Sequence, residues 1–542
     1  MAKRQEQYKP LLFTTTMRNP DRIKYFLNVL LHYNGQVLTD KLATQIMGDC
    51  IKIGIYRPMK KTNEIKAKWS TISSPEPAEL VLSDKEVNWI LANNLNIKNG
   101  KIIKPKMAGF DYGWPSRFDT YYDLMKHLGF VYYSIGEKIV FSELGQLYAN
   151  SISIEVDEGI IEVTDNHPEF REQAFLQSMA KYQRNNPFKR VLNNNSPLIL
   201  LLQVIKKLNN DKDFNSVGIS RSEIPLLLYW KDNDADGLYQ RIKLLRKEYR
   251  YNPSWETIIS ICQNEIMEGN DIKREPKTIM EELPDEFIRK MRLTGIISYR
   301  GGGRFLDINK TELEKVNYIL DKYSNPLNFS DERKYFNYMS ETDTTLLSFE
   351  TKEVDQNIKE TLLMDWVNHY SFETLKEELK ILSEKKLSKD LILKEMGRPE
   401  RLEFLTAIAI KSAFRNVRVI PNYNPGDDGI PRSTAGGAGD QGDIECFEEE
   451  NGILVEVTMS NGTQQHQMES ASIARHLKKF STKIDGNSIC YLVAPKIFND
   501  TKEFMEFGYF KDKRRIKGID IVDFTKFLEK NEKLYNWKEP TV

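Results

Sequence analysis

Cysteine is scarce in this chain: four in 542 residues, at positions 50, 262, 446 and 490, with no Cys-x-x-Cys pair. That number and spacing exclude a disulfide framework and a zinc knuckle. Long hydrophobic runs are missing as well. Segments such as Pro225-Leu-Leu-Leu-Tyr-Trp230 fall far short of the roughly 20 apolar residues that cross a bilayer. The opening MAKRQEQYKP has no apolar stretch of the signal-peptide kind. Together these absences lead us to expect a reducing, cytoplasmic setting and no membrane partner. Net charge is absent too, with 78 Lys and Arg against 78 Asp and Glu. The balance is uneven along the chain. Residues 1–150 carry 21 basic and 14 acidic side chains, whereas residues 331–542 carry 31 and 37. A basic front and an acidic rear fit a part that reads DNA joined to a part that binds metal.

What is present starts with length, which exceeds a single core and suggests two to four domains. Asn19-Pro20-Asp21 is a helix start, with a capping Asn, Pro at the first helical position and an acid in the first turn. The helix that follows should end at Asn34-Gly35, and a second should cover Leu38 to Met47. A basic stretch, Arg57-Pro-Met-Lys60-Lys61 to Lys68-Trp69, comes next. From Pro115 to Gly129 the pattern is a helix, followed by FVYYS, the turn Ile135-Gly136-Glu137 and KIVFS. Helix, glycine exit, strand, tight turn, strand is the order of a winged helix. A comparable order recurs from Asp285 through Gly295, IISYR, Gly301-Gly302-Gly303 and RFLDI. Between the two lies a mainly helical region holding Lys181 and Arg184. From 331 to 397 the pattern is helical and highly charged, as a connecting linker would be.

The recognition helix of such a unit presents its N-terminal side chains to the major groove. That selects Ser116 and Arg117 in the first unit, with Arg289, Lys290 and Arg292 as counterparts in the second. Lys181 and Arg184 are further DNA-binding candidates. Arginine reads guanine edges in bidentate fashion, whereas most lysine contacts go to phosphate.

The C-terminal part reads as a helix carrying Glu400 and Glu403, strand Val417–Ile420, and a Gly- and Pro-rich loop. Strand Asp443–Phe447, strand Ile453–Met459, a helix over about 464–480 and strand Ser488–Ala494 follow. Helix-β-β-β-helix-β is the order of a common nuclease core. Asp443 opens one strand, Glu456 sits inside an apolar strand and Glu469 follows on the helix. A lone glutamate in a half-exposed strand is ordinarily just solvated. Three acids at these points of a sheet can instead converge on a hard cation, which takes oxygen ligands. One or two Mg²⁺ ions there would neutralise a scissile phosphate and activate water. The usual Asp/Glu-x-Lys ending of such a motif has Thr458 at the lysine position, and a hydroxyl supplies no positive charge. Gly436–Gly442 is not a phosphate loop, for it lacks the Gly-Lys-Ser/Thr ending. His466 and His476, ten residues apart on one helix, are read as polar-face residues.

VEVT (455–458), SNGTQQHQMES (460–470) and ARHL (474–477) resemble the catalytic segment of the AlwI-type restriction and nicking endonucleases. LEFLTAIAI (402–410) resembles their acid-bearing helix, and TTTMRNPDRIKYFL and LGFVYYSIGEKIVFSELGQLYAN resemble their N-terminal recognition part. The resemblance implies a Type IIS enzyme that binds a short asymmetric duplex site and cuts a few base pairs outside it with Mg²⁺. The family's four acids fall on Glu403, Asp443, Glu456 and Glu469, with Asp443, Glu456 and Glu469 as metal ligands. Threonine at the usual lysine position is shared with the family, but Gly442 stands where relatives have proline.

The expected architecture is multidomain. A mainly α-helical DNA-recognition part, 1–330, holds winged-helix units at about 1–150 and 200–330. A helical linker covers 331–397. Residues 398–542 form an α/β restriction-nuclease core with a PD-(D/E)xK-like mixed sheet. Expected partners are double-stranded DNA, a second nuclease domain or subunit for double-strand cleavage, and a cognate DNA methyltransferase. The alternatives are a strand-specific nicking enzyme, a non-catalytic winged-helix DNA-binding protein and an RNA-processing nuclease.

Overall fold

The computed structural model describes residues 6–14, 16–69, 76–94, 97–98, 101–102, 106–107, 109–214, 216–269, 274–350, 354–432, 441–460 and 462–539. Its contacts divide the chain into two compact units, meeting in sequence at Thr351 and Lys352. No helix among the described residues is long and apolar enough to cross a membrane, and all four cysteines are buried free thiols.

The first unit is mainly helical. Asn19 caps a short 3₁₀ turn by accepting from the Asp21 amide, and the helix Ile23–Leu31 follows. Helix Trp114–His127 ends before Gly129, whose φ of +79° few side chains tolerate. A Cβ there would also meet the Met339 backbone at 2.7 Å. The paired strands Val131–Tyr132 and Val140–Phe141 come next. In the second such segment, helix Leu283–Leu293 precedes Ile297–Arg300 and Phe305–Ile308, which pair antiparallel. Ile219–Ser220, from far earlier in the chain, adds a third strand to that sheet. The region between is helical, apart from an unforeseen hairpin, Ile152–Asp157 with Ile160–Asp165.

The stretch expected to link the domains is itself divided. Helices Glu332–Ser340 and Thr344–Ser348 belong to the first unit. The second unit begins with α1 (Gln356–His369) and α2 (Phe372–Ser383), which pack on α3 (Arg398–Ala413). They do so because Leu363, Trp366, Leu375, Leu379 and Leu382 form apolar stripes that must be covered.

After α3 come β1 (Arg418–Pro421), β2 (Ile444–Glu448), β3 (Asn451–Val457), α4 (Gly462–Ser481) and β4 (Ser488–Ala494). The unit closes with α5 (Asn499–Asp512), β5 (Ile516–Asp520) and α6 (Ile521–Lys530). The five strands form one mixed sheet in sequence order, antiparallel through β1, β2 and β3 and parallel through β3, β4 and β5. Much of the Gly/Pro-rich loop before β2, residues 433–440, lies outside the described residues.

The continuous apolar runs of β3 and β4 reflect burial on both faces. Leu454, Cys490, Leu492 and Ile516 pack under Ile473, Leu477 and Phe480 of α4 and Met505 of α5. On the opposite face Tyr491 meets Phe524 and Phe527 of α6. Alternation along β3 therefore aims Glu456, like Leu454, toward the α4 side.

Candidate active site

Four elements, α3, the start of β2, β3 and α4, bring four carboxylates together. The β2–β3 ladder pairs Ile444 with Val455, so the same register carried one residue further sets Asp443 against Glu456. Two acids opposed in this way repel each other. Asp443 is held there by the Val457 amide, which donates to its Oδ2 at 2.7 Å. Glu403 on α3 reaches Asp443 within hydrogen-bonding range. From α4, Glu469 accepts a hydrogen bond from the Thr458 hydroxyl. Thus Thr458, at the motif's lysine position, supplies a donor to an acid and no charge.

The electrostatics follow from burial first and crowding second. Burial raises the Glu403 carboxyl to about 8, and Glu400 and Glu456 add to the rise. Burial, then Glu403 and Glu456, push Asp443 well above the usual carboxylate range. Glu469 is raised chiefly by burial, and its Thr458 bond and His476 work against the rise. In all three, burial is the larger cause, and the neighbouring carboxylates add to it.

The helix also contributes a residue that sequence spacing did not single out. His476 Nδ1 donates to Glu456 Oε1 at 2.9 Å. The Glu456 side chain is 6% exposed and that of His476 12%. His476 Nε2 is buried with no hydrogen-bond partner among the described residues. The signal available was its seven-residue offset from Glu469, which puts both on one face of α4 two turns apart. His466, by contrast, bonds Ser470 and lies edge-on to Phe504.

Gly442, immediately before Asp443, is also part of the site. A Cβ on Gly442 would lie 2.6 Å from Glu456 Oε1 and 2.5 Å from Leu454 Cδ1. Proline carries the same Cβ, so the residue expected from the resemblance does not fit this arrangement.

The donor set is all oxygen, which suits Mg²⁺ or Mn²⁺. The acids are neighbours and not a closed cage. Among the described residues no three Asp, Glu, His or Cys side chains are gathered closely enough to hold an ion as they stand. Asp443 is engaged by Glu403 and the Val457 amide, and Glu456 by His476. A cation would have to compete with those contacts.

The DNA-binding candidates require correction. Lys290 is fully buried, pairs with Glu286 at 3.0 Å and donates to the Met17 carbonyl at 3.0 Å. Lys181 is buried and donates to the Tyr338 carbonyl at 3.0 Å. Arg184, also buried, donates to the Trp230 carbonyl at 3.2 Å. Ser116 exchanges hydrogen bonds with the Gly113 backbone and closes its own helix start. These four side chains are committed to the fold. Arg292 ties its helix to the Ile297 carbonyl at 2.9 Å and lies over Tyr299. Arg289 is half-buried, and Arg117 stands half-buried beside Tyr56 and Tyr121.

A cationic cluster that was not selected lies in the basic stretch. Lys61 is held below the ordinary ammonium value by partial burial, then by Arg57 and Lys66. Its ammonium stands over the Trp69 ring at 5.7 Å.

The family model described as AlwI restriction endonuclease matches residues 126–389 and 365–528, together well over half of the chain. The opening segment that resembles the recognition part lies outside that match. No curated protein sequence matches the chain. Among solved structures, the small subunit (R.BspD6I2) of the heterodimeric restriction endonuclease R.BspD6I is 20% identical, with 29% of this chain and 77% of that chain covered and a TM-score of 0.24. The DNA complex of the BpuJ1 endonuclease binding domain is 14% identical, over 62% of this chain and 97% of that one, at a TM-score of 0.31. Restriction endonuclease FokI is 12% identical, over 97% and 96%, at a TM-score of 0.26.

Proposed function

The chain belongs to the AlwI restriction endonuclease family, and from that premise we propose that it is a Type IIS enzyme that binds a short asymmetric duplex site and hydrolyses phosphodiester bonds a few base pairs outside it. The observation that carries this reading is the meeting of Glu403, Asp443, Glu456 and Glu469 at one end of a mixed sheet, each acid described as raised doing so in the company of the others. In this reading residues 398–542 are a PD-(D/E)xK-like nuclease core, and the two helix–hairpin segments of the first unit are winged helices.

Asp443, Glu456 and Glu469 would hold Mg²⁺, with Glu403 beside them. Bound there, the ion supplies neutralisation of the scissile phosphate and a more acidic water. The protein's own groups do the rest. His476 fixes Glu456 through Nδ1, which leaves Nε2 for a phosphate oxygen or a water. Glu403, beside Asp443, would help to position that ligand for the ion. Thr458 steadies Glu469. Arg57, Lys61 and Lys66 would neutralise DNA phosphates, because like charges crowded together favour an anion between them. Arg117 and Arg289 remain the candidates for base edges.

One active site cuts one strand, so an isolated chain would nick, and double-strand cleavage needs a second nuclease domain. A methyltransferase that protects the site in host DNA is the genetic partner this reading entails. The test is to digest supercoiled plasmid with the purified chain and Mg²⁺ and to sequence the ends. Ends at one fixed offset from a single short asymmetric sequence are expected. Random ends, or specific binding with no cleavage, would replace this reading with a non-specific nuclease or a DNA-binding regulator.

A further inference from the structure

The stretch ahead of the Asn19 cap touches two helices that are far away in sequence. Phe13 and Met17 are buried, and Phe13 lies against Tyr182 with ring centroids 5.2 Å apart. Thr16 Oγ1 donates to the Thr120 carbonyl at 2.9 Å, on helix Trp114–His127. The Thr14 amide donates to Glu286 Oε1 at 2.9 Å, on helix Leu283–Leu293. From that same helix Lys290 Nζ donates to the carbonyls of Met17 at 3.0 Å and Arg18 at 3.4 Å. The two holds are joined to each other, because the Thr16 amide donates to Thr14 Oγ1 at 3.2 Å. Each anchor also lies one helical turn from an arginine: Thr120 is three residues after Arg117, and Glu286 three before Arg289.

We propose that Thr14, Thr16 and Met17 are positioning residues that set the spacing between these two helices, so that base pairs read through Arg117 and base pairs read through Arg289 must lie a fixed distance apart. The inference rests on the reading of both arginines as base contacts. One extra base pair moves two contacted steps apart by about 3.4 Å and turns one against the other by roughly a tenth of a turn. The bonds at Thr14, Thr16 and Met17 are 2.9, 2.9 and 3.0 Å long. They are lost well before such a stretch, since a hydrogen bond does not persist beyond about 3.5 Å. Those from Lys290 are charge-assisted and the ammonium is buried, which makes them costly to break. Helices released from this tie would follow an inserted base pair, and the site would be read with slack.

The test measures binding in EDTA, where nothing is cut, to the short site found from sequenced plasmid ends and to duplexes with one base pair inserted at each step of it. Thr16→Val removes the hydroxyl and keeps the side-chain shape, whereas Thr16→Ser keeps the hydroxyl. Thr16→Val should narrow the preference for the intact site over the inserted duplexes roughly ten-fold, the scale of one lost buried hydrogen bond. Binding to random duplex should not change, and Thr16→Ser should restore the preference. A wild type that accepts an inserted base pair, an unchanged preference in Thr16→Val, or an equal loss on random duplex overturns the proposal. Urea denaturation separates this from failure of the DNA-reading premise. Glu286→Gln with Lys290→Met removes the other hold and leaves no buried charge unpaired. Combined with Thr16→Val, its loss in midpoint should fall well short of the sum of the two, because either change frees the same segment. That shortfall supports the tie between the helices even if no short site is bound, and additive losses overturn it.

Discussion

Replacing Gly442 with alanine tests the site through its most crowded atom. The new methyl would stand 2.6 Å from Glu456 Oε1 and 2.5 Å from Leu454 Cδ1, whereas methyl groups need roughly 3.4 Å or more, near the optimum for nonbonded atoms. Something must move by about 0.8 Å. Gly442 is itself pinned, because its carbonyl accepts from Asn422 and the Asn422 amide donates to the Asp443 carbonyl at 2.8 Å. Leu454 is locked among Ile473, Leu477 and Phe480. Glu456 is held by one hydrogen bond from His476, so the carboxylate is the group that yields. Overpacking costs stability by about 1–3 kcal/mol. Displacing a catalytic group by about 1 Å costs on the order of 100-fold in rate. The variant should therefore fold with a modest loss in a urea titration and cleave plasmid in Mg²⁺ roughly 100-fold more slowly. Wild-type cleavage by Gly442→Ala would refute the reasoning, because Glu456 would then be free to move without consequence.

Four further outcomes follow from named contacts. Lys290→Ala should destabilise the protein by about 3–5 kcal/mol in chemical denaturation, because buried Glu286 loses its partner; a weaker hold on DNA at unchanged stability would contradict the structural role. Lys61→Ala should lower the slope of log affinity against log salt by about 1 while leaving the cut positions unchanged. Glu403 binds its proton more tightly folded than unfolded, so its contribution to stability is present below its ordinary value of 4.5 and is lost as pH rises through about 8. Melting in EDTA should accordingly fall from pH 6 to pH 9, less steeply in Glu403→Gln, and Mg²⁺ should restore it at high pH; a metal-free melting temperature that climbs over that range would contradict the sign. His476→Ala should cleave far more slowly with DNA binding retained, and an unchanged rate would remove His476 from the site.

Much of the second unit was readable in the sequence because local signals agreed there with tertiary demands. Strand Ser488–Ala494 is buried from Ile489 onward because both its faces are covered, and the acids of β2 and β3 interrupt otherwise apolar strands. The Asn19 cap and the glycine exits at Gly129 and Gly295 marked helix ends for the same local reasons. Ser116 turns back on its own helix start at Gly113; the lysine and arginine misreadings that follow involve partners distant in sequence. Lys290 looked like a surface cation on an amphipathic helix, but the carbonyl that buries it is that of Met17. Lys181 and Arg184 are likewise claimed by the carbonyls of Tyr338 and Trp230. His476 meets Glu456 only because α4 crosses back over β3. The charged stretch 331–397 resembled a linker because its apolar stripes are narrow; those of α1 and α2 are covered by α3.

The most direct test of the central claim is cleavage by Glu456→Gln, a change that keeps the size and the hydrogen-bonding capacity of the side chain and removes its charge. Wild type and variant are bound to the same duplex, and single-turnover hydrolysis is followed after Mg²⁺ is added. The account predicts equal DNA affinity and hydrolysis reduced by at least 100-fold, the scale of a lost catalytic group. Hydrolysis by the variant at the wild-type rate would show that the phosphodiester is cut somewhere other than the Glu403, Asp443, Glu456 and Glu469 site.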